Sequence, residues 1–252
     1  LPVFGPVADA SAQTTAHLEG GLVVRASGYG EPFAYRPEDR PAMAVDGDPA
    51  TAWVVADRAD PVGQRISVSA TDGTLTLLQP QDPVANRMIT EVTIHPAAGS
   101  AFPVALGPAS LTTPGQLVDL PGNGEVTIEI TAVAARPGGT DTGPSAVGFA
   151  ELGVGSHQEV VTMPAYPDGP LAAGVPLAVV LTRERVDPMD RWRSDPEAAI
   201  VRAVDLPRDG SFTTTVTLRL DARADDATLN SLTATSGPVA DRRLTGDPAA
   251  RG

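Results

Sequence analysis

The chain has no cysteine and no lysine. Without cysteine there is no disulfide staple, no thiolate metal site and no thiol nucleophile. That absence leaves the compartment open, since many exported bacterial proteins also lack the residue. Aromatic residues fill only 4% of 252 positions, so each tyrosine or tryptophan needs its own account. No apolar run approaches the roughly 18 residues of a membrane-spanning helix, so the chain is not expected to insert into a bilayer. The chain opens Leu1-Pro2-Val3 without a basic n-region, so this stretch is not expected to be a signal peptide. Positive charge is scarce. A net charge of −13 repels phosphate backbones and disfavours adsorption to anionic headgroups, which argues against nucleic-acid partners. Long helices are scarce too: 25 glycines and 25 prolines favour short strands joined by turns.

Hydrophobic residues make up 42% of the chain, which is enough for a folded protein of roughly two small domains. Period-two alternation marks strands buried on one face. It places Ile66 and Val68, Leu75 and Leu77, Val92 and Ile94, and Val126, Ile128 and Ile130 on inward faces. Asp72-Gly73 and Asn123-Gly124 read as hairpin turns between such runs. Ser145 to Val154 reads as a last strand after the Gly138–Pro144 loop. The pattern then restarts, with strands expected at 158–163, 177–182, 199–206 and 211–220 and a short helix at 224–232. The expected organisation has four parts. Residues 1–21 are a leader, a linker or a strand lent to a second domain. Residues 22–154 are a β-sandwich, 155–232 a smaller β domain, and 233–252 a linker. Both ends read as cut from a larger protein. The fold class is all-β.

The densest chemistry lies in Ala44-Val45-Asp46-Gly47-Asp48-Pro49-Ala50-Thr51-Ala52-Trp53. Two carboxylates, a glycine and a hydroxyl share one tight turn. Oxygen donors crowded this closely suit a hard cation such as calcium. The plainer alternative is a turn in which Asp side chains bond nearby backbone N–H groups and Gly supplies positive φ. An Asp-x-Asp nucleotide site would need an α/β sheet, which the pattern does not show.

These residues resemble the discoidin family (coagulation factor 5/8 type C, galactose-binding-like modules). Ala26-Ser27 matches the family's opening strand, Ala44 to Trp53 its signature turn, and Ala150-Glu151-Leu152 its closing strand. The resemblance covers roughly residues 22–154 and implies a jelly-roll sandwich that binds sugars or lipids without catalysis. It also implies a structural calcium held by Met43, Asp46, Asp48, Thr51, Ala150 and Glu151. A narrower resemblance rests on Ser27 to Glu38 followed by Val45 to Trp53. This stretch is similar to the extracytoplasmic region of actinobacterial α-(1→3)-arabinofuranosyltransferases, D-type, which are membrane enzymes building cell-wall arabinan. Arginine at every basic position fits the GC-rich codon bias of such organisms. The resemblance implies an extracytoplasmic, non-enzymatic fragment tethered through its parent glycosyltransferase, with cell-envelope polysaccharide as partner.

Tyr29, Phe33 and Tyr35 lie in a Gly/Pro loop beside the turn, where rings can stack on a sugar. Arg36, Arg40 and Arg58 are candidate donors to vicinal hydroxyls. The alternative is that the loop buries its own rings, leaving a structural spacer or docking module. Trp53 is expected in the core. His17, His95 and His157 share no metal-ligand spacing and read as strand-face or linker residues. The charged stretch Arg183–Glu197, with Trp192, reads as a loop with internal ion pairs or as a glycan grip. A hydrolase would need two carboxylates about 5–10 Å apart across a cleft, and no pair stands out.

Overall fold

The computed structural model describes residues 14–30, 36–55, 61–80, 86–134, 146–163, 178–181, 203–206, 210–211, 213–215, 227 and 230. Residues 1–208 form one compact unit and 209–252 another. In the second, Ala227 and Asn230 are helical, within the stretch expected as a helix.

Among the described residues the first unit has twelve strands. In chain order they are β1 Thr15–Leu18, β2 Val24–Ala26, β3 Trp53–Val55, β4 Arg65–Val68, β5 Thr74–Leu77 and β6 Ile89–Pro96. Then come β7 Phe102–Ala105, β8 Gln116–Asp119, β9 Val126–Val133, β10 Val147–Phe149, β11 Glu159–Thr162 and β12 Ala203–Asp205. A five-stranded sheet runs in the order β2-β4-β9-β6-β7. Two pairs, β5-β8 and β10-β3, supply the facing layer, joined by a bridge between Leu78 and Glu151. The architecture is the expected all-β sandwich. A third sheet, β1-β11-β12, joins a strand from the first 21 residues to one beyond residue 155, with β12 parallel to β11.

One core fills the sandwich. Ile66, Val68, Val92, Ile94, Val126, Ile128 and Ile130 from one layer share it with Trp53, Leu75, Leu77, Val118, Val147 and Phe149 from the other. Each such side chain contributes about 1.5–3 kcal/mol by leaving water. In β6, Ile89 and Val92 are both buried although three residues apart. Register shifts around Glu91 absorb the extra residue as a bulge. Gly148 pairs with Val54, and a side chain there would run into the Trp53 carbonyl. That close approach lets Trp53 and Phe149 stack, with centroids 6.2 Å apart.

The two expected hairpins are not hairpins. Asp72-Gly73 connects β4 to β5, and Asn123-Gly124 connects β8 to β9, but each turn carries the chain from one layer to the other. They meet at one end of the sandwich: Leu120 N–H donates to Gly73 O at 2.9 Å and Thr71 Oγ1 to Gly124 O at 3.1 Å. The reason is burial. The apolar faces of β4 and β5 oppose each other across the core rather than lying side by side. Gln79, also buried, substitutes for a strand residue. It donates to Ile89 O at 3.0 Å and accepts from Ile89 N–H at 2.7 Å.

Candidate functional site

The signature turn follows a short 3-10 turn, Pro41–Ala44, whose proline presets the backbone. Gly47 takes φ +82, the left-handed region glycine tolerates best. Asp46 Oδ1 accepts Asp48 N–H at 3.0 Å, and Asp48 Oδ1 accepts Ala50 N–H at 2.9 Å. These are the side-chain-to-backbone turns that aspartate favours. Thr51 Oγ1 stands 2.8 Å from Asp46 Oδ2, 2.9 Å from Asp48 O and 3.4 Å from Met43 O. A hydroxyl has one proton for these three acceptors. The cluster is therefore richer in oxygen lone pairs than in donors.

The closing strand packs on this turn. Ala150 and Glu151 N–H both point to Leu78 O, at 2.7 and 3.3 Å, and Leu152 N–H donates to Ala44 O at 3.0 Å. Ser156 Oγ donates to Asp46 O at 2.6 Å, and His157 N–H to Val45 O at 2.8 Å. Glu151 Oε1 is buried without a hydrogen-bond partner. Burial first, then the negative charges of Asp46 and Asp48, push the Glu151 carboxyl up to about 7, against the pull of the Gly47 N–H. Asp46 is also raised, mainly by burial. The Asp48 N–H, the Thr51 hydroxyl and Arg40 act the other way. Burial and the neighbouring Asp46 thus hold the Glu151 carboxyl toward its neutral form.

This donor set suits an oxygen-liganded cation. The buried Glu151 oxygen has no donor, and the paired carboxyls gain from positive charge between them. Among the described residues no three His, Asp or Glu side chains converge, so carbonyl and hydroxyl oxygens have to complete such a shell. The side-chain oxygen Asp48 Oδ1 already serves its own turn.

The loop before the turn is anchored from below. Trp53 is fully buried, as expected of a core tryptophan, and its indole N–H donates to Gly28 O at 2.9 Å. Gly30 N–H donates to Val54 O at 2.9 Å. Tyr29, held between these two anchors, is 48% exposed. Arg36 packs against Gly30, and its Nε is buried without a partner. Arg40 is not available to a ligand. Its Nε and Nη2 reach Glu159 Oε2 at 2.9 and 2.6 Å, and Nη1 donates to Pro37 O at 2.8 Å. A carboxylate 119 positions away in the chain captures it. Phe33, Tyr35, Arg58 and Trp192 lie outside the described residues.

The histidines hold structure together. His95 pairs with Glu129 at 3.0 Å, beside the Arg65–Glu129 bridge at 2.8 Å. His17 lies on β1 opposite Val160. His157 faces Glu19 O with Nδ1 at 2.9 Å and Val154 O with Nε2 at 3.0 Å. Sequence reasoning stopped at Glu151 and missed Ser156 and His157 as parts of the turn's support. The two glycines just ahead of them, Gly153 and Gly155, were the local signal of a sharp return there.

No family model matches the chain, and no curated protein matches it. Among solved structures it is similar to the arabinofuranosyltransferase AftD from Mycobacteria, at TM-score 0.46 and 20% identity. That match covers 62% of this chain, which spans only 13% of the length of AftD. It is similar to the family 32 CBM from C. perfringens NanJ, solved with galactose, at TM-score 0.37 and 20% identity, covering 58% and 99% of the two chains. It is also similar to an F5/8 type C domain from Bacteroides fragilis, at TM-score 0.37 and 14% identity, covering 57% and 96%.

Proposed function

We propose that the sandwich is a non-catalytic, calcium-stabilised glycan-binding module on the extracytoplasmic side of a membrane-tethered arabinofuranosyltransferase, with cell-envelope arabinan or galactan as its polymer. The observation that carries this reading is the posture of Tyr29. An exposed ring on a backbone fixed at both neighbours loses little freedom on stacking against a sugar. Among the described residues no helix is long and apolar enough to cross a membrane. The parent enzyme is supported by the sequence likeness of residues 27–38 and 45–53.

Calcium, held by Met43, Asp46, Asp48, Thr51, Ala150 and Glu151, would supply the positive charge that the opening turn and closing strand lack. Binding on open loops buries little area, so affinities of about micromolar to millimolar are expected, raised in the parent by neighbouring modules. NMR titration of the calcium-loaded chain with arabinan and galactan oligosaccharides tests the reading. Shifts centred on residues 28–36, lost in Tyr29→Ala, are expected. A folded, calcium-loaded chain that binds neither glycan overturns it.

A scaffold role is the second reading. It is favoured by the Arg40–Glu159 pair, which ties the same loop to β11. In that case Tyr29→Ala leaves glycan titrations flat and instead loosens the chain's attachment to the rest of the parent.

A further inference from the structure

His157 is placed unlike the other two histidines. His95 Nε2 faces a carboxylate, Glu129, at 3.0 Å, and His17 Nδ1 faces the Thr162 hydroxyl at 3.4 Å. A neutral ring satisfies either partner through one nitrogen. Both nitrogens of His157 face backbone carbonyls: Nδ1 stands 2.9 Å from Glu19 O, and Nε2 stands 3.0 Å from Val154 O. A carbonyl oxygen only accepts, and a neutral imidazole carries one N–H and one bare lone pair. A neutral ring therefore sets lone pair against lone pair at one of the two contacts. An imidazolium donates at both, and a charged donor makes the stronger hydrogen bond.

The two carbonyls belong to different parts of the molecule. Val154 lies on the return after the closing strand, three residues before the ring. Glu19 opens the 3-10 turn Glu19–Gly21 that follows β1, 138 positions away. The backbone N–H of His157 donates to Val45 O at 2.8 Å, at the foot of the acidic turn. Glycines leave the ring its space: a Cβ on Gly155 would lie 3.3 Å from Nε2, and one on Gly20 3.7 Å from Nδ1. The elements packed on the ring carry Glu19, Asp46, Asp48, Glu151 and Glu159 against Arg40, which Glu159 already holds. They thus set no unpaired arginine against an imidazolium, and His17 on β1 turns to Thr162.

We infer that His157 is a protonation-dependent clasp. Its imidazolium bridges Glu19 and Val154 and fastens the β1–β11 ribbon to the sandwich, and loss of one proton opens the Glu19 contact. The Val154 contact survives that loss, because only three residues of chain separate its partners. The clasp is closed while the ring holds both protons and opens as pH rises. It depends on neither a glycan nor a cation.

Amide exchange of the full chain tests this, each rate being corrected for the intrinsic effect of pH. The comparison is between about pH 5 and about pH 8, on either side of the range where histidines ordinarily titrate. The reporters are Glu19 N–H, which donates to Gln158 O at 2.9 Å, and the amides paired between β1 and β11. Their protection is expected to fall about tenfold at the higher pH, relative to β6 and β9. Those core strands carry any global change set by Glu151. His157→Gln is expected to abolish the ribbon's extra loss, and His17→Gln to leave it in place. Nitrogen NMR of the unmutated ring gives a second reading: both nitrogens protonated at the lower pH, and Nε2 only at the higher. It decides the matter if His157→Gln does not fold. Ribbon loss that survives His157→Gln, or that merely tracks β6 and β9, overturns the inference. So does an Nδ1 that keeps its proton at the higher pH.

Discussion

Asp46-Gly47 and Asp72-Gly73 are the same dipeptide in nearly the same backbone shape, with glycine φ of +82 and +92. They behave as different chemical objects. Asp72 is exposed and accepts the Thr74 hydroxyl at 3.1 Å. Asp46 is drawn inward toward Glu151, and burial raises its carboxyl above its ordinary value. The dipeptide makes the turn. The partner that the fold brings to it, a closing strand in one case and another glycine turn in the other, decides how far the carboxylate is drawn out of water.

The largest contrast is expected on adding one methyl group to each glycine. At Gly47 a Cβ would lie 2.5 Å from Ser156 Oγ, whereas at Gly73 the nearest atom is Asn123 Oδ1 at 3.2 Å. Urea unfolding should show Gly47→Ala costing about 3 kcal/mol or more, from backbone strain plus overlap. Gly73→Ala should cost about 1–2 kcal/mol from strain alone. Equal losses would mean that the closing strand does not press on the first turn.

Calcium gives the next effect. At one hundred times its dissociation constant, a ligand specific for the folded state adds about 2.7 kcal/mol. The gain should vanish in Glu151→Gln and persist in Asp72→Asn, read as the melting shift on adding EDTA. Without metal, the pH dependence should run opposite to that of a salt-bridged acid. Burial and Asp46 push the folded Glu151 carboxyl up to about 7 from its ordinary 4.5. Between those values the folded chain keeps a proton that the unfolded chain has released. Metal-free stability should therefore fall as pH rises from about 4.5 through 7, and Glu151→Gln should flatten the slope. The smallest difference is expected from the hydroxyls. Thr51→Val should cost about 1 kcal/mol by stripping Asp46 of a donor, while Thr74→Val stays within about 0.5 kcal/mol.

Much of this was legible in the sequence. Alternation placed Ile66, Leu75, Ile94 and Ile128 inward because side-chain direction in a strand is local. The spacing from Asp46 to Thr51 described a real turn for the same reason. Which sheet the next strand enters is not local. Asp72-Gly73 and Asn123-Gly124 therefore read as hairpins when they are crossings between layers. The β6 bulge was visible only as three residues from Ile89 to Val92. Arg40 looked free because its partner, Glu159, lies in another sheet. Arg36, by contrast, packs against Gly30, the residue after Tyr29.

The ties that fasten β11 and its approach to the sandwich include Arg40 to Glu159, Ser156 to Asp46 and His157 to Val45. All three end on residues 40–46, directly ahead of Asp48 and Thr51. A pull on the β1–β11 ribbon therefore reaches the acidic turn through one short stretch of chain, which holds it in the manner of a mooring cleat.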